Sequence, residues 1–218
     1  MKLFPRLALA ASLATAAPLA ASAQQTQVFT NDERHYQEGL ELLDRGKYGA
    51  AQQAFQRYLD LTARRQGELA PGRAADAEYY TALTSLYLLR PDAESRILAF
   101  AAAHPAHPKA AQAYFELGKF YFEKKDYARA IENLQKVGPD NLTDEQRAES
   151  EFKLGYAYFA QKEFDKAKLQ FDRNKQGQHE YRYASAYYAG YLAYRAGDTQ
   201  SARQDLALAA QNDAYRPV

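Results

Sequence analysis

Four histidines and a few carboxylates at turn positions are the side chains of this 218-residue sequence whose types and spacing invite a chemical reading. His104 and His107 are three apart, which on a helix would place two imidazoles on one face for a metal. They occur, however, as His104-Pro105-Ala106-His107-Pro108; two prolines at that spacing make the segment a loop, and no run of carboxylates follows to complete a ligand set. His35 and His179 are solitary, beside Tyr36 and Tyr181. Asp92, Asp126, Glu163 and Asp198 each fall at a turn, where carboxylates start helices, whereas acid–base catalysis needs a close pair with separated pKa values. Asn141-Leu142-Thr143 matches the N-glycosylation triplet and reads more simply as a loop and a helix cap. The absence of cysteine removes disulfides, thiolate metal sites and a lipid-attachment cysteine. No catalytic residue, no cofactor and no metal is expected, and the chain reads as a non-enzyme.

The elements that position these residues repeat. Gly39 is followed by Tyr48, Ala51 and Phe55; Gly118 by Tyr127, Ala130 and Leu134; Gly155 by Phe164, Ala167 and Phe171; Gly190 by Thr199, Ala202 and Leu206. The offsets are 9, 12 and 16 in every set, and the glycines lie 79, 37 and 35 residues apart, so the first gap hides a degenerate unit whose second half is Ala93 and Ile97. This is the pattern of antiparallel helix pairs, in which glycine on the first helix and alanine on the second let the backbones approach while the aromatic and the large apolar residue fill the surroundings. Arg45-Gly46-Lys47, Lys125-Asp126, Lys162-Glu163 and Ala196-Gly197-Asp198 supply the turns within units. Pro71-Gly72, Pro105, Pro108 and Gly138-Pro139 separate the units, and Thr143 with Gln146 fits a capping box, as does Thr30 with Glu33.

The segment Tyr114-Phe115-Glu116-Leu117-Gly118-Lys119-Phe120-Tyr121, followed by Tyr127, Ala130 and Leu134, resembles the tetratricopeptide repeat; Phe152 to Phe171, with Leu154-Gly155 and Tyr158, is similar to it nearly as closely. The first unit lacks the leucine before Gly39, the last has Thr199 where an aromatic is usual, and the second is recognisable by context. The resemblance implies an all-α fold, a right-handed α-solenoid of about five hairpins over 31–214, with repeats near 31–66, 73–104, 109–138, 143–176 and 181–212. It also implies a protein or peptide partner held in a concave groove lined by first helices. At helical spacing away from the glycines, that groove carries Tyr36, Leu40 and Leu43, then Phe115, Lys119 and Phe122, then Phe152, Tyr156 and Phe159, and finally Tyr187, Tyr191 and Tyr194. Such a stripe serves either as a binding surface or as packing between repeats. The lysine and asparagine clamp by which some tetratricopeptide domains hold acidic chaperone tails has mostly Phe and Tyr at its matching places.

The first 23 residues read as a secretory signal: Lys2 and Arg6, an apolar run from Leu7 to Leu19 broken by Pro18, and Ala21-Ser22-Ala23 as cleavage site, followed by a polar leader over 24–30. The run is too short to span a bilayer, which needs about 20 apolar residues, so no stable membrane insertion is expected after cleavage. Without Lys2 and Arg6, the remainder of the 28 Lys and Arg is one fewer than the 27 Asp and Glu, which gives no footprint for nucleic acid. The sequence thus resembles exported tetratricopeptide scaffolds of Gram-negative bacteria, located in the periplasm. A glycan-binding accessory protein at the outer membrane is the alternative, suggested by tyrosines that stack on sugars. Leu206 and Leu208 near the end leave an apolar edge suited to self-association or continuation.

Overall fold

The computed structural model describes residues 31–64, 71–138 and 141–215. The expected signal segment 1–23, the leader 24–30 and the Thr30 half of the first capping box lie outside them.

Among the described residues there are ten α-helices and no strand: α1 (Asn31–Asp44), α2 (Tyr48–Arg64), α3 (Pro71–Tyr87), α4 (Ala93–Ala103), α5 (Pro108–Glu123), α6 (Tyr127–Leu134), α7 (Asp144–Ala160), α8 (Phe164–Asn174), α9 (Arg182–Arg195) and α10 (Thr199–Ala209). A 3-10 turn follows at Asp213–Tyr215 and touches α9. Consecutive helices pair as five hairpins, and each second helix also packs on the next first helix, so the hairpins form a one-dimensional stack.

All five first helices end in one way. A residue in the left-handed region (Gly46 at φ 66°, Leu89 at 54°, Lys125 at 59°, Lys162 at 63°, Gly197 at 83°) reverses the chain. Its N–H donates to the carbonyl three residues back, as Lys162 does to Phe159, and the following N–H donates to the carbonyl five back, as Glu163 does to Tyr158. This double bond is the Schellman stop, which satisfies two of the orphan carbonyls of the helix end. Lys125, Lys162 and Leu89 bear a Cβ in a conformation that favours glycine.

The glycine pattern has a different physical basis from the small-on-small contact expected. The large residue sixteen positions on lies directly against each glycine. A Cβ on Gly39 would come within 2.6 Å of Phe55 Cε1, on Gly118 within 2.5 Å of Leu134 Cδ2, on Gly155 within 2.9 Å of Phe171 Cε1 and on Gly190 within 2.9 Å of Leu206 Cγ. Glycine therefore makes a socket for a ring or a branched chain, while Ala51, Ala130, Ala167 and Ala202 are buried in the close-packed remainder of the contact.

In the degenerate second hairpin, counting back the seven residues that separate glycine from turn in the other units places Ala82 where they have glycine. From Leu89 to Ala93 is four residues, against five from Lys125 to Ala130, and α4 begins only at Ala93. One turn residue and the first turn of the second helix are missing, yet Ala82, Ala93 and Ile97 are buried as their counterparts are.

Rings join the hairpins. Phe55 stacks on Tyr80 of the next first helix at 5.0 Å with an interplanar angle of 18°, and Phe171 stacks on Tyr188 at 5.2 Å and 17°. Tyr80 and Tyr188 stand two residues before Ala82 and Gly190, so the same lid recurs three units apart.

Candidate functional site

First helices of successive hairpins approach one another, α3 with α5 and α5 with α7, more closely than second helices do. The stack is therefore shorter along the side of the first helices, and that side is its inner face. The sequence-derived groove residues divide on it by burial. Phe115 does not line a groove: it is 1% exposed, in a core cluster with Leu134 and with Leu142, which stands just before α7. Tyr36 is likewise buried, against Phe55 and Tyr58. Phe122, Phe152, Tyr156 and Phe159 are half-buried and pack edge-on or tilted against one another and against Tyr127 and Tyr188, while Phe152 stacks on Tyr181. Tyr187, Tyr191 and Tyr194 on α9 are exposed, with Tyr187 beside Tyr215 and Tyr191 beside Phe159.

Across the middle of the inner face runs a ladder of charges that sequence reasoning reached only at Lys119. Tyr87 donates to Glu116 at 3.2 Å; Lys119 lies 3.6 Å from both Glu116 and Glu149; Lys153 lies 2.8 Å from Glu123 and 3.7 Å from Glu149. Burial raises the Glu116 carboxyl above the usual carboxylate range despite the neighbouring Lys119 ammonium and the Tyr87 hydroxyl. The ammoniums of Lys119 and Lys153 also stand over the rings of Phe115 and Phe122, at 4.9 and 4.4 Å from the centroids. A sequence signal existed: Glu116 and Lys153 occupy one register, two residues before Gly118 and Gly155, with opposite charge in adjacent units.

The histidines and turn carboxylates take structural places. His104 caps the end of α4 and lies 2.7 Å from Glu78, and His107 caps the start of α5, its Nδ1 accepting from the Lys109 N–H. Asp126 and Asp198 accept from the N–H of Arg129 and of Ser201, while Asp92 and Glu163 pair with Arg96 and Lys166. Hydrogen bonding to their partners holds the Asp126 and Asp198 carboxyls below the ordinary value. Thr143 and Gln146 form the expected capping box, with both reciprocal bonds present. Among the described residues no three His, Cys, Asp or Glu side chains are grouped to hold a metal ion, and no helix is long and apolar enough to cross a membrane.

A sequence profile of the tetratricopeptide repeat matches residues 111–137, the third hairpin. No curated protein matches the chain in sequence. Among solved structures it is similar to PilF of Pseudomonas aeruginosa, with 24% identity and a TM-score of 0.58 over 83% of this chain and 75% of that one. It is similar also to MamA AMB-1, with 18% identity and a TM-score of 0.61 over 84% and 92% of the two chains. A putative kinesin light chain of Podosopora anserina, with nearly identical TPR-like repeats, gives 17% identity and a TM-score of 0.58 over 82% and 92% of the two chains. With ten helices in five hairpins among the described residues, four of them glycine-socketed, and a matching repeat at 111–137, the chain has the fold of a tetratricopeptide-repeat α-solenoid.

Proposed function

We propose that this chain is a protein-binding scaffold of the bacterial envelope, exported to the periplasm, that lays a helical or extended segment of a partner protein along its inner face. The observation that carries the reading is the exposure of Tyr187 and Tyr191, 40% and 42%, on the first helix of the last hairpin, with Tyr191 beside the half-buried ring of Phe159. Rigid aromatics that remain open to water on a curved helical surface are the residue type that anchors peptides, since they bury much area at low entropic cost. The Lys119, Glu116 and Glu149 ladder supplies polar register alongside them. At the turns Asp126 and Asp198 cap helices, and Asp92 and Glu163 pair with cations.

A photo-crosslinking residue at position 191 or 187, in the full chain in its own envelope, is expected to capture a partner protein through a short segment. The same residue at Leu169, exposed on α8, is expected to capture none. Equal capture from both positions overturns the inner-face reading. Cell fractionation of the chain with residues 1–23 deleted tests export; retention of that variant in the periplasm overturns the signal.

A further inference from the structure

The turns of the first three hairpins are neighbours, since the Tyr48 ring lies 4.8 Å from that of Tyr87 and Arg129 lies 3.7 Å from Glu94. At the left-handed residue of the turn and the one before it, four hairpins carry polar or small pairs: Arg45-Gly46, Lys124-Lys125, Gln161-Lys162 and Ala196-Gly197. The second hairpin carries Leu88-Leu89. Leu89 is 69% exposed with φ at 54°, and Leu88 is 37% exposed. A branched apolar residue in the left-handed region holds its Cβ against the following carbonyl, a strain that glycine would remove. At that exposure, packing within the hairpin does little to offset it. Strain kept at such a place points to a contact made with something outside the fold. Hairpins flank this turn on both sides, so its exposure does not depend on where the stack ends.

Charge selects the occupant. Most carboxylates at these three turns are already paired: Glu41 with Arg45, Asp92 with Arg96, Glu123 with Lys153, and both Glu94 and Asp126 with Arg129. Asp44 is exposed and has no cation partner among the described residues. Against that one carboxylate stand Lys47, Arg90, Lys124 and Lys125, all exposed and none within salt-bridge distance of a carboxylate among the described residues. The Lys124 ammonium lies over the Phe120 ring at 4.6 Å from its centroid. A projecting apolar tip ringed by unpaired cations matches the boundary of an anionic bilayer, where leucines enter the acyl region and ammonium and guanidinium groups meet phosphates. A protein pocket deep enough for both leucines would have to take these cations out of water and supply carboxylates for them, whereas a bilayer leaves them in its wet headgroup layer.

We infer that the turn of the second hairpin docks this chain on the surface of an anionic phospholipid bilayer, with Leu88 and Leu89 at the acyl boundary and Lys47, Arg90, Lys124 and Lys125 among the headgroups. The contact is peripheral, and it is independent of the proposed peptide groove, whose anchors are Tyr187 and Tyr191. The chain purified from its own cells is expected to cosediment with vesicles of phosphatidylglycerol and phosphatidylcholine, less so as salt rises, and not with vesicles of phosphatidylcholine alone. Leu89→Gly should weaken that binding about tenfold, while its denaturant midpoint stays at or above that of the wild type because glycine suits the turn. Arg90→Gln combined with Lys125→Gln should weaken it by about tenfold or more. Because the sequence has no tryptophan, Leu88→Trp reports the depth of the tip: its emission should shift to the blue on anionic vesicles, and that of Leu169→Trp, at an exposed position on α8, should not. Absence of cosedimentation overturns the inference, and capture of a protein by a photo-crosslinking residue at position 89 would then assign the tip to a protein partner. Binding undiminished by Leu89→Gly, or unshifted emission from Leu88→Trp, overturns it as well.

Discussion

The fourth and fifth hairpins carry the same offsets from glycine and the same Schellman turn, and they differ in what lies on their far side. Phe171 sits in the Gly155 socket and is closed by Tyr188; Leu206 sits in the Gly190 socket and faces water. A repeat's own residues therefore set the contact within a hairpin, and the neighbouring hairpin decides how much that contact is worth. This is the behaviour of a linear array whose stability is a sum of unit and nearest-neighbour terms.

The comparison is broken or sharpened most strongly by emptying the two sockets. Phe171→Ala is expected to cost about 3–5 kcal/mol in denaturant unfolding, because both hairpins collapse imperfectly onto the hole. Leu206→Ala should cost about 1 kcal/mol or less, since its side chain is already partly wet. Equal losses at the two positions contradict the role given to the neighbour. Filling the sockets is the next test. Gly155→Leu should lower stability by about 1–3 kcal/mol as the new side chain meets Phe171 and Gln170. Gly190→Leu should cost less, because Leu206 can swing into solvent, and a larger loss at Gly190 than at Gly155 refutes that account.

The turns, by contrast, belong to each hairpin alone. Lys162→Gly is expected to raise stability by about 1 kcal/mol by relieving the left-handed Cβ, and Gly197→Lys to lower it by a similar amount. Unequal magnitudes in a thermal or denaturant titration indicate that the neighbour reaches the turn as well. The smallest effect concerns Tyr188, the lid itself. Burial, reinforced by the nearby Tyr156, Tyr215 and Tyr187 phenols, pushes its hydroxyl up to about 12 from an ordinary value of 10.0. The unfolded chain ionises first as pH rises, so the stability present below pH 10 is lost through about 12, the folded value. Tyr188→Phe should flatten that fall by a few degrees of melting temperature between those pH values, provided the protein is compared with the wild type at each pH. An unchanged slope removes Tyr188 from the interface between the hairpins.

The repeat was legible in the sequence wherever unit and turn kept their spacing, as at Gly118, Ala130 and Leu134, and the Thr143 and Gln146 cap could be read directly because capping is a local matter of side chain and backbone. The second hairpin was legible only by context, since the shortened turn at Leu89 and the late start of α4 shift Ala93 and Ile97 out of register with Ala82. The inner face was partly misread. Phe115 and Tyr187 stand at one position of their units, and one is sealed by Leu134 and Leu142 while the other is open. Nothing local to either residue distinguishes them. The Lys119–Glu149 and Lys153–Glu123 pairs escaped notice because opposite charges 30 residues apart become neighbours only when the hairpins are stacked.

By itself the sequence determined which residues turn the chain in four of the hairpins, which residues recur together and how many hairpins there are, because those outcomes depend on backbone conformation and contacts within about one repeat. Tertiary structure alone decided that the large residue enters the glycine socket, that Phe115 is core while Tyr187 and Tyr191 are surface, and that Leu206 and Tyr194 lie uncovered. The physical reason is that burial is a property of the next element along the stack, and the same side chain at the same register gains or keeps its water according to whether that element is there.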